Sequence, residues 1–127
     1  MAEVAAIQEA SPEAARWNVS EYLQYHFWVA VHGNRIVGFL VSRNLAEGER
    51  ELLNLAVAPE FRRQGVGHEL LATLLAEAPG VIYLEVRASN QVARSIYKSK
   101  GFQEVGSRQG YYENPLEAAI VMKFHSC

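Results

Sequence analysis

The sequence predicts an α/β (α+β) fold on a mixed, mostly antiparallel central sheet, and three observations carry the prediction. Two β-rich runs in "FWVAVHGNRIVGFLVSR" are split by a hairpin signal at His32-Gly33-Asn34-Arg35. After Pro59 the apolar residues change to a helical period. A further β-rich run, "VIYLEVR", follows that helix, so strands and helices share one chain without segregating into separate halves.

Taken in order, Ala2 to Glu9 reads as a short helix with Ala5 and Ile7 toward the core. Ser11-Pro12-Glu13 supplies an N-cap, a first-turn proline and an early acid for a second helix. In the hairpin signal, Gly33 and Asn34 are both available for positive φ. A turn at Ala46-Glu47-Gly48 leads into a third strand, "ELLNLAV", and three strands joined by short turns imply an antiparallel meander. Val66, Leu70, Leu71, Leu74 and Leu75 form one apolar helix face that should stop near Pro79-Gly80. In "VIYLEVR", Ile82, Leu84 and Val86 share one side, Val81, Tyr83, Glu85 and Arg87 the other. Ser89 or Asn90 can cap the next helix, and Gly101 can close it in a left-handed C′ conformation. Strands near Phe102 to Arg108 and Ala118 to Phe124 complete the pattern.

At 127 residues and 50% hydrophobic, the chain suits a single domain, residues 1–127, with one proper core. Its 12 basic and 14 acidic residues are interspersed and sum to -2, so no overall field favours nucleic acid and any anion site must be local. The lone cysteine, Cys127, excludes a disulfide framework, and the four histidines lack metal-ligand spacing, so no metal is expected. No apolar run approaches a membrane span, and "MAEVAAIQEASPEAARW" lacks the features of a signal peptide; a cytoplasmic protein is expected.

The local anion site is "EFRRQGVGHELL". A helix N-terminus has unpaired N–H groups and the positive end of the dipole, and it binds phosphate where backbone can come close. Gly65 and Gly67 remove Cβ atoms there, and Arg62, Arg63 and His68 add positive groups, so a di- or polyphosphate is expected. No Lys-Ser/Thr follows the glycines, as a Walker A loop requires, and the third glycine of a dinucleotide fingerprint is missing. The competing reading is that both glycines only let the helix start lie close to the sheet.

Arg62-x-x-Gly65-x-Gly67, between "LAVAP" and an amphipathic helix, resembles the acetyl-CoA motif of the GCN5-related N-acetyltransferase (GNAT) superfamily. "YLEVRASNQVARSIYKSKGF" and "SRQGYYENPLEAAIVM" are similar to its ribosomal-protein alanine N-acetyltransferase branch (RimI type). The resemblance implies a sheet with helices on both faces and acetyl-CoA as cosubstrate. It implies that the backbone of Arg62, Arg63, Gln64, Gly65, Val66, Gly67 and His68 holds the pyrophosphate, with Asn90 near the pantetheine arm. Leu55, Ala56 and Val57 would lie on a bulged strand whose N–H groups polarise the acetyl carbonyl. Glu85 would be the general base and Tyr97 the general acid, with Arg108, Tyr111 and Tyr112 lining the peptide side. Asn90 and Tyr97, two helical turns apart, share a face, as those roles need.

Three departures stand out. The family's first strand is missing before the first helix, and an exposed sheet edge there could pair with a second copy; a monomeric mass by light scattering at high concentration refutes that dimer. Gln109-Gly110 replaces a basic residue and an asparagine of close relatives, and the connection after the Leu70 helix is shorter than in enterobacterial members. Without the flanking motifs, Glu85 reads as a solvent-facing glutamate, Tyr97 as a core aromatic and Tyr111-Tyr112 as an ordinary strand pair.

The implied partner is a peptide or protein N-terminus, such as the N-terminal alanine of a ribosomal protein. Presenting a neutral lysine (pKa about 10.4) at pH 7 costs roughly 3 kcal/mol more than presenting a neutral α-amine (about 7.7–8.0). A glutamate carboxylate, which ordinarily titrates at about 4.3, is a weak base for this task, which favours partial burial or a water relay. Transfer to lysine side chains or small amines, and a non-catalytic acetyl-CoA-binding module, are the alternatives.

Overall fold

A computed structural model of the chain describes residues 2–10, 22, 24–77, 79–112 and 116–126. The helices are α1 (Ala2–Glu9), α2 (Val66–Glu77) and α3 (Gln91–Ser99), with a 3-10 turn at Pro59–Phe61. The strands are β1 (His26–His32), β2 (Arg35–Ala46), β3 (Glu49–Val57), β4 (Gly80–Arg87), β5 (Gln103–Tyr112) and β6 (Glu117–Ser126). They hydrogen-bond in the order β1-β2-β3-β4-β6-β5. The pairs β1/β2, β4/β6 and β5/β6 are antiparallel, so the architecture is the expected α/β class. The Ser11-Pro12-Glu13 helix start and Cys127 lie outside the described residues. Among the described residues no helix is long and apolar enough to cross a membrane.

The chain forms two compact units, one of Met1–Arg43 with Leu52–Ala78, the other of Asn44–Glu51 with Pro79–Cys127. In the first, α1 buries Val4, Ile7 and Gln8. That i, i+3, i+4 set leaves Ala5 at the margin, half-buried where the sequence placed it in the core. Tyr22 packs on Phe27 and Phe39 at ring distances of 5.9 and 5.6 Å, and Val41, Ala56 and Ala58 fill the space around them. A polar knot sits inside this core. The Tyr22 hydroxyl donates to Gln8 Oε1, and Asn54 Nδ2 reaches both Tyr22 Oη (3.0 Å) and Gln8 Oε1 (3.2 Å). Burial pushes the Tyr22 phenol above its ordinary value, with the hydrogen bond from Asn54 acting the other way. The Asn54 side-chain oxygen also accepts from Leu55 N–H at 3.0 Å.

The β1–β2 turn takes positive φ at Gly33 (62°) and not at Asn34, the arrangement of a turn with glycine at its first central position. Close helix–strand approach is built at Gly38 on β2. A Cβ there would lie 3.1 Å from Val66 Cγ1, 3.2 Å from Leu70 Cδ1 and 3.2 Å from the Ala56 carbonyl oxygen. The notch lets α2 bury Leu70, Leu71 and Leu74, each contributing about 1.5–3 kcal/mol of hydrophobic stabilisation.

In the second unit, β4 buries Ile82, Leu84 and Val86 as its alternation predicts. Ala119, Met122 and Phe102 are buried in the same unit. Asn90 caps α3 by accepting from Ala93 N–H at 3.1 Å, and Gly101 follows the helix at φ 104°. Arg94 and Lys98 on α3 reach Glu104 on β5 at 2.5 and 3.3 Å, fastening the helix to the strand after it.

Candidate active site

The loop before α2, in the first unit, is held rigidly from behind. Arg62 Nε donates to the Val57 carbonyl (3.1 Å) and Arg62 Nη2 to the Ala10 carbonyl (3.0 Å). Gln64 Nε2 donates to the Glu60 carbonyl (3.0 Å), and Glu60 is paired with Arg35 (2.6 Å). Arg62, one of the three positive side chains expected at the phosphate, therefore braces backbone, as does Gln64. Arg63 is the only non-glycine with positive φ (63°) among the described residues, and Gly65 follows at 85°. These two left-handed residues turn the chain into α2, whose first bond runs from Glu69 N–H to the Gly65 carbonyl (3.0 Å).

The space beside the glycines bears on the packing reading of the motif. A Cβ at Gly65 meets nothing within 4 Å, and one at Gly67 meets only Val57 Cγ2, at 3.8 Å. Neither glycine is needed to let the helix lie close to the sheet, which Gly38 allows, although Gly65 is suited to its left-handed φ. The missing side chains leave the helix start open in front, as close approach of a phosphate requires. His68 and Arg63 are exposed beside it, and Val66 is half-buried.

In the second unit, Glu85 stands on the partly exposed face of β4. In the sheet, Glu85 pairs with Val121 and Val121 with Gly106, while Arg87, Ala119 and Arg108 form the row two registers on, the next on the same face. Arg108 on β5 reaches across one row, and its Nη1 donates to Glu85 Oε1 at 2.8 Å. Glu85 Oε2 is buried and has no hydrogen-bond partner among the described residues. The hydrogen bond to Glu85, and then the attraction of its charge, hold the Arg108 guanidinium above its ordinary value. Behind Arg108, the Tyr111 ring lies 4.4 Å from the guanidinium carbon.

A bulge brings Tyr111 there. Arg108 pairs with Ala119 and Tyr112 with Glu117, so residues 109–111 face a single residue, and Gly110 takes φ 63°. Gln109-Gly110 thus lies in the bulge. Of the other expected residues, Tyr112 pairs through its backbone with Glu117, and Leu55 and Val57 are half-buried either side of buried Ala56. Tyr97 is buried at 8% exposure, its ring 5.6 Å from Phe102. Asn90 spends its side-chain oxygen on the α3 cap. The structure brings together Glu85, Arg108 and Tyr111. Sequence reasoning missed Asn54 and the Arg108–Glu85 pair; the only signal for Asn54 is a polar residue between Leu52 and Ala56 on the buried face of β3.

The six-stranded sheet with its helices is that of an acetyltransferase-class fold, and the chain belongs to the acetyltransferase (GNAT) family, whose pattern matches residues 3–102. Among its relatives are the ribosomal protein bS18-alanine N-acetyltransferase of Haemophilus ducreyi and the N-alpha-acetyltransferase RimI of Mycobacterium tuberculosis. The first is 36% identical over 72% of this chain and 68% of its own length. The second is 40% identical over 77% of this chain and 65% of its own. The match thus spans about two thirds of these relatives. The crystal structure of the ribosomal-protein-S18-alanine N-acetyltransferase from Escherichia coli superposes with a TM-score of 0.81 at 29% identity, covering 95% of this chain and 84% of that one. A putative streptothricin acetyltransferase from Bacillus anthracis, solved in complex with acetyl coenzyme A, gives 0.73 at 25% identity, covering 89% and 70%.

Proposed function

We propose that residues 1–127 act as a single N-acetyltransferase domain that transfers the acetyl group of acetyl-CoA to a protein N-terminal α-amine, the N-terminal alanine of a ribosomal protein, in the cytoplasm. The observation that carries the reading is the half-buried Glu85 carboxylate on β4, one oxygen fixed by Arg108 and the other without a hydrogen-bond partner among the described residues. A carboxylate oxygen with spare acceptor capacity in a partly buried setting can receive a proton from an amine directly or through one water. The relatives' names support the α-amine as acceptor, and so does the lower cost of a neutral α-amine compared with lysine.

In this mechanism the thioester supplies the activated acetyl group. The opened start of α2, with the backbone of residues 62–68, receives the pyrophosphate. Backbone N–H groups of Leu55, Ala56 and Val57 polarise the acetyl carbonyl. Glu85 takes the amine proton as the N–C bond forms. Tyr97 donates a hydrogen bond to the sulfur as the C–S bond breaks; because a phenol (pKa about 10) is less acidic than a thiol (about 8.5), that donation stabilises the transition state more than it transfers a proton. Asn90 serves the pantetheine arm, and Tyr111 and Tyr112 the peptide.

The test is acetyl-CoA-dependent modification of a short peptide with a free N-terminal alanine, read by mass spectrometry beside its N-blocked, lysine-containing version. Modification of the free α-amine alone is expected. Acetylation of the blocked peptide at lysine would move the assignment to side-chain amines, and binding of acetyl-CoA without turnover would leave a non-catalytic module.

A further inference from the structure

We infer that Arg108 is a positioning residue for the Glu85 carboxylate and not a peptide-binding side chain. The inference rests on the role proposed for Glu85 above. A carboxylate that can rotate offers either oxygen to an incoming amine, and each wrong presentation is lost to catalysis. Here Arg108 Nη1 holds Oε1 at 2.8 Å and Oε2 is turned into the protein with no hydrogen-bond partner among the described residues, so the carboxylate is held in one orientation. A guanidinium performs this only if its own plane is fixed, and the Tyr111 ring, 4.4 Å from its central carbon, supplies the second support. The bulge of residues 109–111 is what carries Tyr111 to that place, and Gly110, at φ 63°, fits the turn it makes. Edge strand, bulge, ring and guanidinium thus form one device that ends on the proposed base. Arg108 itself is substantially exposed (57% of its side chain), so substitution there leaves the core intact.

The experiment is a double-mutant cycle on the full chain with the free-N-terminal alanine peptide. Arg108→Ala is expected to lower kcat more than tenfold with KM changed less than twofold, and Arg108→Lys to recover part of the loss. In a Glu85→Gln background, Arg108→Ala should cost less than a further twofold, because it acts through a group already removed. Losses that multiply across the two sites, or a rise in KM at unchanged kcat, would overturn the inference in favour of direct peptide contact. A second readout does not need turnover. The two Nη resonances of Arg108 should be resolved by hindered rotation in the wild-type protein and merge in Glu85→Gln; resonances already merged in the wild type would overturn the inference whatever the enzyme acetylates. A wild-type protein that acetylates no α-amine removes the proposed function, and the resonance test then decides the positioning role alone.

Discussion

Gly67→Ala separates folding from cosubstrate binding at a single atom. Gly67 is the second residue of α2, its φ lies outside the left-handed range, and an added Cβ meets only Val57 Cγ2 at 3.8 Å. Alanine restricts the unfolded chain and suits a helix better, so stability should rise by about 0.4–1 kcal/mol. At roughly 2.1 cal/mol/K per residue of unfolding entropy, a chain of this length gains about 1.5–4 °C in Tm. The same Cβ projects beside the first-turn N–H groups that the proposal assigns to the pyrophosphate. Losing one charge-assisted hydrogen bond costs about 1.5–3 kcal/mol, a tenfold or greater loss of affinity. At a concentration of acetyl-CoA about 100 times the wild-type Kd, the ligand should stabilise wild type by about 2.7 kcal/mol, or about 10 °C, and the variant by about half that. Differential scanning fluorimetry with and without acetyl-CoA reads both quantities. A variant with raised Tm and an undiminished acetyl-CoA shift would refute the assignment of this helix start to the pyrophosphate. A lowered Tm would refute the premise that the glycine is dispensable for packing.

Three further outcomes are expected. Tyr97→Phe should lower kcat more than tenfold while barely changing acetyl-CoA affinity in calorimetry; an unchanged kcat would return Tyr97 to the core it shares with Phe102. Asn90→Ala removes the α3 cap and should cost about 1 kcal/mol in urea unfolding, whereas Asn90→Asp should retain most of that stability. The hydrogen bond from Arg94, then that from Lys98 and the charges of both, hold the Glu104 carboxyl below its ordinary value. A depressed folded-state value contributes stability that is present above pH 4.5 and is lost as the pH falls through the folded-state value, so acid unfolding followed by circular dichroism should be shallower below pH 4.5 in Glu104→Gln.

Locally encoded features were legible in the sequence. Gly33 in the β1–β2 turn, Asn90 as one of the two caps the pattern allowed and Gly101 beyond α3 each answer to a constraint within four residues. The alternation of β4 placed Glu85 opposite the buried Ile82, Leu84 and Val86 for the same reason. What the pattern hid depends on distant partners. Arg62, beside the glycines, looks like a phosphate ligand, yet it closes on the Ala10 carbonyl, 52 residues away. Gly38 looks like any residue of a β-rich run until Val66 and Leu70 are packed over it. Charge and residue type say which bonds a side chain can make, and only the fold says which of them it has made.

The loop from Glu60 to Gly67 has already spent its conformational freedom. Its Arg62 and Gln64 side chains are bonded to its own backbone and to the residue that follows α1, and these bonds brace the left-handed turn at Arg63, a strain of order 1–3 kcal/mol. A cradle set in advance has no slow closing step. Capture of the polyanion should therefore follow a single exponential whose rate rises linearly with ligand concentration, with affinity differences among loop variants expressed in how quickly the ligand leaves.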